Sequence, residues 1–327
     1  MQKTMRAVVI EKAGPPEVLK LTERPIPTPG PGRVLIRVRA FGLNRSELFT
    51  RQGHSPSVEF PRILGIEAVG EIVAAPDGEF QPGQRVATAM GGMGRQFDGS
   101  YADYVCVPAV QVQRIETALD WAHLGALPEM IQTAWGSLHT ALQIKPGQTL
   151  LIRGGTTSVG LAAAALARAH GLTVAATTRQ PGRAAMLRAN GADQVFIDTG
   201  SIADQVRAVY PDGVTHVLEL VGTATVRDSL RCAAHQGTVC VTGVVGNQWM
   251  LEKFSPMDEI PSTVCLTIYS GGPQDFMNTP LQDIVGQIEA GQLKVPRDKV
   301  FPLEQIAAAH RHMEENRAQG KIVVVTG

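Results

Sequence analysis

The sequence predicts an α/β chain of two domains, one built from antiparallel, barrel-like strands and the other a doubly wound parallel sheet. Length is the first reason, since 327 residues exceed the size at which a single hydrophobic core usually keeps growing. The second is the first third of the chain, where short β-branched runs (MRAVVI, RVLIRVRAFGLN, EAVGEIVAA) alternate with Pro and Gly punctuation such as PTPGPG. The third is a change of texture at about residue 149, beyond which strand, turn and helix repeat as in a parallel sheet.

Within the barrel-like part, PGQRV at 82 to 86 is a turn feeding a strand, and SYADYVCVP at 100 to 108 alternates as a half-buried strand does. In the middle part, TLLIR, TVAATT, QVFID, VTHVLEL and GTVCVTG are strands, separated by the helical stretches LAAAALARAHG, RAAMLRANGA, SIADQVRAVY and ATVRDSLRCAA. After STVCLTIYS come two more helical stretches and a final apolar run, KIVVVTG. One strand cannot stand alone, so it is expected to return to the opening barrel. The domains are therefore expected at 1–122 with 268–327, and at 123–267.

Thirty basic and 30 acidic side chains cancel, leaving no sequence-wide field to attract nucleic acid or an anionic membrane. No stretch reads as a signal peptide or a membrane span. Cys106, Cys232, Cys240 and Cys265 are scattered without a CxxC pair, which points to a reducing cytoplasm and to four buried, inert thiols.

Chemistry concentrates in LLIRGGTTSVGLAAAALA, a glycine-rich turn between an apolar strand and an Ala-rich helix, the context that a dinucleotide-binding turn requires. Gly155 is expected to make the tight turn, Gly160 to let helix and strand pack, and a pyrophosphate to sit at the helix N-terminus beside Val159. Thr157 stands where the usual pattern has glycine, so Thr156, Thr157 and Ser158 are expected to offer hydroxyl donors instead. About 20 residues further on, where an NAD site carries an acid, the strand ends in Thr178 and Arg179, with Arg183 four residues later. Such an edge suits a 2′-phosphate, which favours NADPH. Two solvated arginines are the plainer alternative. Gly243, closing GTVCVTG, completes the expected cofactor set.

Taken together, MRAVVIEKAGPPEVLKL, FGLNRSELFTRQG, ILGIEAVGEIV, FQPGQRV, GSYADYVCVP, LPEMIQTAWGSL, the nucleotide turn and NRAQGKIVV resemble the medium-chain dehydrogenase/reductase superfamily, and within it the quinone oxidoreductase, or zeta-crystallin-like, branch. The resemblance covers essentially the whole chain and implies a GroES-like catalytic domain, a Rossmann cofactor domain, NADPH bound between them and a homodimer formed through the strand around 263 to 268. It also implies that Asn44 lies beside the nicotinamide ribose, Thr133 near the nicotinamide, and Arg183 and Arg317 at basic contacts to the cofactor. Zinc-dependent members hold metal through a Cys near the FGLN segment, a His in a GHE triplet and a later Cys or His. Here Asn44, then Gly65, Ile66 and Glu67, occupy those segments, so no zinc site is expected.

Without a Lewis acid, hydride transfer suits an activated acceptor such as a quinone or an enone, which is also the substrate class that the resemblance implies. Phe49 stands where many relatives carry tyrosine, and water is the expected proton source. Asn44, Phe49 and Tyr269 are the candidates for the substrate cleft, although a packing role is the plainer reading of Tyr269, and of Tyr104. Glu47 reads as solvated, His54 as a surface loop residue, and His310 and His312 as facing different ways. An enoyl-thioester reductase of the same superfamily is the rival enzyme, and a crystallin-like or RNA-binding role the non-enzymatic one.

Overall fold

The computed structural model describes residues 3–55 and 57–327, and the chain divides into two compact units. The first comprises Met1–Gln132, Gly271–Ala290 and Arg297–Gly327; the second comprises Thr133–Ser270 and Gly291–Pro296. Eight strands open the chain: β1 (Thr4–Ile10), β2 (Lys20–Pro25), β3 (Arg33–Gly42), β4 (Arg62–Ile63), β5 (Glu67–Ala74), β6 (Arg85–Ala89), β7 (Tyr104–Pro108) and β8 (Val112–Arg114). Six more belong to the second unit: β9 (Thr149–Arg153), β10 (Thr173–Thr178), β11 (Gln194–Ile197), β12 (Val214–Glu219), β13 (Ala233–Val241) and β14 (Cys265–Ile268). The chain then returns to the first unit with β15 (Arg297–Pro302) and β16 (Lys321–Val325).

The first unit holds a small sheet ordered β2-β1-β4 and a larger one ordered β15-β16-β3-β5-β6-β8, with β7 also paired to β3. Pairing is antiparallel throughout except between β15 and β16. In β3, Val34, Ile36, Val38 and Ala40 point inward while Arg33, Arg37 and Arg39 alternate with them, the period-2 signature of a sheet with one wet face. The final apolar strand does return, as β16 pairs antiparallel with β3 through Val323 and Gly42.

The second unit is one parallel sheet ordered β11-β10-β9-β12-β13-β14, the 3-2-1-4-5-6 order of a Rossmann fold, in which the order reverses at the first strand. Leu150, Leu151 and Ile152 are all fully buried, as expected for a central strand covered on both faces. The helix Ser158–Ala169 buries Leu161, Ala162, Ala163, Ala164, Leu166 and Ala167, and its small alanines let helix and sheet approach closely. Burying each large aliphatic side chain contributes roughly 1.5–3 kcal/mol.

Three features depart from the sequence reading. The polar segment RDKVFP forms a strand, β15, supported by the ladder of β16 rather than by its own pattern. The helix Pro128–Trp135 continues into a π-helical turn, Gly136–Ala141. Of the four thiols, Cys232 and Cys240 are buried, Cys106 is half-buried and Cys265 is exposed, because Cys265 lies on β14, the edge strand of its sheet.

Gly65, just before β5, anchors the loop of residues 90–100. Its φ is +108°, and a Cβ there would fall on Ser100 Oγ and lie 2.6 Å from the Ser100 nitrogen. Gly94 and Gly99 in turn pack against the Gly65 backbone. Gly83 has φ +85° but open space around it, so it isolates the cost of the backbone conformation alone. Gly65→Ala is expected to lower stability by about 2 kcal/mol or more, and Gly83→Ala by about 1 kcal/mol. Equal shifts of the two variants in thermal unfolding would contradict this account.

Candidate functional site

In the second unit, β9 ends at Arg153 and runs directly into the predicted turn. Gly154, not Gly155, takes the left-handed conformation, with φ +86°, which corrects the assignment of the tight turn. Its N–H donates to Thr177 Oγ1 at 3.0 Å, and the Gly155 N–H donates to the Thr177 carbonyl at 3.2 Å. A Cβ on Gly155 would lie 2.8 Å from Ala176 Cβ, and one on Gly160 would lie 2.8 Å from the Gly154 carbonyl oxygen. Both glycines are therefore required by close approach, Gly155 to β10 and Gly160 to the turn itself.

The hydroxyl expectation needs one correction. Thr157 is the N-cap of the helix Ser158–Ala169: its Oγ1 accepts from the Gly160 N–H at 3.0 Å and donates to the Gly154 carbonyl at 2.9 Å, so its proton is engaged within the protein. Thr156, Ser158 and Val159 are part-exposed at the same end, where the first-turn N–H groups have no intrahelical partners. That arrangement suits an anion.

The neighbouring loops lie at the same carboxyl edge of the sheet, where such folds bind ligands. Thr178 ends β10, and its hydroxyl donates to the Gln180 carbonyl at 3.2 Å and accepts from the Gln180 N–H at 3.1 Å. This turn leaves Arg179 exposed and leads to Arg183, which is half-buried. Gly243 follows β13, and a Cβ there would lie 2.5 Å from the Leu220 carbonyl oxygen. Thr133, in the helix Pro128–Trp135, accepts at its carbonyl from Ser137 Oγ at 2.6 Å. Tyr269 is half-buried and packs its ring on Gly136, where any Cβ would overlap it.

The first unit contains a buried polar cluster around Asn44. Asn44 Nδ2 donates to Glu67 Oε1 at 2.9 Å, and Asn44 Oδ1 accepts from Lys321 Nζ at 2.6 Å. Lys321 also lies 2.8 Å from Glu67 Oε1 and 3.4 Å from Glu129 Oε2. Glu67 Oε2 accepts from the Glu129 N–H at 2.9 Å. Gly42 makes room for this, since a Cβ there would overlap the Lys321 side chain and lie 2.6 Å from Glu67 Oε1. The carboxylates outweigh burial and hold the Lys321 ammonium above its ordinary pKa.

Glu47 is not solvated as its sequence suggested. It is 1% exposed, accepting from the Asn44 N–H at 2.7 Å, the Ile66 N–H at 2.8 Å and the Tyr101 hydroxyl at 3.0 Å. Tyr101 lies 2.9 Å from His310 Nε2 and stacks on Phe41. Burial pushes Glu47 up to about 7, against the lowering effect of its two backbone donors, and pushes His310 down to about 3. Phe49, expected in the substrate cleft, belongs to the hydrophobic core of this unit and meets His54 edge-on. Arg317 is exposed and paired with Glu315. His310 and His312 have separate partners, as His312 bonds Asp298 at 2.6 Å.

Lys321 was not singled out from the sequence, and Glu67, Glu47, Tyr101 and His310 were not assigned to one buried cluster. The signals were slight: one lysine opening an apolar strand, and a glutamate three residues after Asn44, which is the spacing of a capping box. Among the described residues, no group of three or more His, Cys, Asp or Glu side chains is arranged to hold a metal ion.

A two-unit chain with a GroES-like barrel and a Rossmann sheet defines the medium-chain dehydrogenase/reductase class, and comparison with known proteins agrees. Residues 30–117 match the alcohol dehydrogenase GroES-like domain, and residues 190–324 match a family described as zinc-binding dehydrogenase. Human quinone oxidoreductase is 30% identical over 334 residues, covering 99% of this chain and 98% of that protein. Among solved structures, AibC is 28% identical with a TM-score of 0.89, covering 99% of this chain and 96% of that one. A mycobacterial protein solved with NADPH is 26% identical with a TM-score of 0.88, covering 98% and 100%. The chain belongs to the quinone oxidoreductase branch of the medium-chain dehydrogenase/reductase superfamily.

The Glu47 shift has a thermodynamic consequence. A carboxyl that titrates near 7 when folded and near 4.5 when unfolded holds its proton longer in the folded state, so stability falls as pH rises between those values and is flat above them. The lost stability amounts to roughly 3 kcal/mol. Glu47→Gln resembles the protonated side chain, and its unfolding free energy is expected to lack this fall between pH 5 and 7. A variant with the wild-type pH profile would show that Glu47 is not the group responsible.

Proposed function

We propose that the chain is an NADPH-dependent oxidoreductase that passes hydride to a quinone or an α,β-unsaturated carbonyl without zinc. The observation that carries this reading is the turn Gly154–Gly160, placed at the carboxyl edge of a parallel sheet and at the N-terminus of a helix with no acid in its first turn. The tight glycine approaches and the helix N-terminus fit a dinucleotide diphosphate. The basic edge at Arg179 and Arg183 supports the phosphorylated cofactor, as does the mycobacterial relative solved with NADPH.

When bound, NADPH supplies a hydride. The protein's part is to bind, orient and exclude water. The hydroxyls of Thr156 and Ser158 and the helix N–H groups receive the diphosphate, and Arg179 and Arg183 meet the 2′-phosphate. Zinc independence is supported by the Asn44 cluster: a divalent cation there would face the buried Lys321 ammonium, which already balances Glu67 and Glu129. With no Lewis acid, an acceptor already activated by conjugation is the one reduced most readily, and solvent supplies the proton. The named activity of the human relative supports the same class.

We also read the chain as a cytoplasmic homodimer joined through β14. Support comes from Ile268, 70% exposed on that edge strand. Among the described residues no helix is long and apolar enough to cross a membrane.

Turnover with NADPH against quinones, enals, enones and a crotonyl-thioester tests the substrate class, and a preference for the thioester would replace it. Arg179→Ala combined with Arg183→Ala is expected to weaken NADPH binding by at least about tenfold and NADH binding far less; equal losses in calorimetry would remove the 2′-phosphate argument. The purified protein is expected to hold no stoichiometric zinc and to keep its activity through chelation, and elemental analysis finding one zinc per chain would overturn the zinc-free reading.

A further inference from the structure

Arg153 is fully buried at the end of β9, one residue before the nucleotide turn. Its guanidinium is bidentate to Asp198, with Nε to Oδ2 at 2.8 Å and an Nη to Oδ1 at 3.0 Å. It also donates to Asp228 Oδ2 at 2.5 Å and to the Gly200 carbonyl at 3.0 Å. Asp228 is further held by Ser201 Oγ at 2.8 Å, the Ile202 N–H at 2.7 Å and Arg231 at 2.8 Å. This is more than core filling, because an apolar residue is the ordinary occupant of a central parallel strand.

The place of Asp198 gives the charge its meaning. Asp198 directly follows β11, and its backbone N–H donates to the Thr178 carbonyl at 2.9 Å. Its backbone thus sits about one strand spacing, roughly 5 Å, from the end of β10, where Thr178, Arg179 and Arg183 begin the adenosine-side loop, and its carboxylate is held by Arg153. An unpaired acid there would repel a 2′-phosphate across a short, partly buried path, where charges are weakly screened. The ribose hydroxyls of the unphosphorylated cofactor carry no such charge.

We propose that Arg153 is a cofactor-specificity residue acting from beneath the site: by neutralising Asp198 it makes the β10–β11 edge tolerant of a 2′-phosphate, while its bonds to the two aspartates hold the loop after β11 in register with the turn. Arg153 touches no cofactor in this scheme and is a positioning residue. The proposal rests on the dinucleotide reading above and concerns which of the two coenzymes the site accepts.

The test is calorimetric titration of the full chain with NADPH and with NADH. Arg153→Met is expected to raise the NADPH dissociation constant about tenfold and to leave that of NADH within about twofold. Arg153→Met combined with Asp198→Asn is expected to restore the wild-type ratio, and Arg153→Lys, which keeps the charge, to retain it. Should the methionine variant fail to fold, Arg153→Gln keeps hydrogen bonds to Asp198 without the charge and is expected to show the same selective loss. Equal losses for both coenzymes, as a purely structural role would give, overturn the proposal. So does a loss that Asp198→Asn does not repair. A wild-type chain that binds neither coenzyme overturns the dinucleotide reading itself, and that result is visible before any substitution is made.

Discussion

The ion pair between Lys321 and Glu67 is the constraint on which the first unit's site depends. An ammonium 1% exposed and a carboxylate fully buried persist only because each is bonded to more than the other. Glu67 receives Lys321, the Asn44 amide and the Glu129 N–H, and Lys321 reaches Asn44 and Glu129 besides. The register of β16 on β3 brings the lysine to Gly42, and β5 starts with Glu67 beside them. Three segments far apart in sequence are therefore fixed at a single point, and the N-terminus of the Arg45–Arg51 helix, with Asn44 at its cap, is fixed with them.

How much of this was legible follows from where the information lies. The parallel sheet was readable because its strands are covered on both faces, so Leu150 to Ile152 and Val217 to Leu218 appear as unbroken apolar runs, and because a glycine-rich turn announces the first helix. The return of β16 was readable for the same reason. β15 was not, because RDKVFP has no periodicity of its own and takes its geometry from β16. Glu47 misled because a glutamate on a short helix is ordinarily solvated. Its burial depends on Tyr101 and Ile66, which arrive from 54 and 19 residues away, and a local pattern does not record such partners.

The nucleotide turn shows the same division at smaller scale. Sequence placed the turn, the helix and the requirement for small residues, but gave the tight turn to Gly155, whereas the left-handed residue is Gly154. It also treated three neighbouring hydroxyls as equivalent. The backbone distinguishes them: Thr157 faces the Gly154 carbonyl and the Gly160 N–H, which makes it the helix cap. A threonine in the place of glycine is therefore explained by capping, which leaves Thr156 and Ser158 as the part-exposed hydroxyls flanking the cap.

Both units bury a cation among carboxylates, yet with different side chains, and the difference is informative. Lys321 is a compact charge that reaches two acids and an amide oxygen converging from different directions, which suits an ammonium. Arg153 meets a carboxylate in one plane and bridges to a second, which suits the rigid guanidinium fork. Neither arrangement is an efficient way to gain stability, since apolar side chains of similar volume often serve as well. What each does supply is a fixed relation between loops that the sheets alone leave loose, Asn44 against Glu67 and Glu129 in one unit and the turn at Gly154 against Asp198 in the other. Buried charge in this chain marks the places where loop position matters: the helix cap at Asn44 in one unit and the glycine-rich turn in the other.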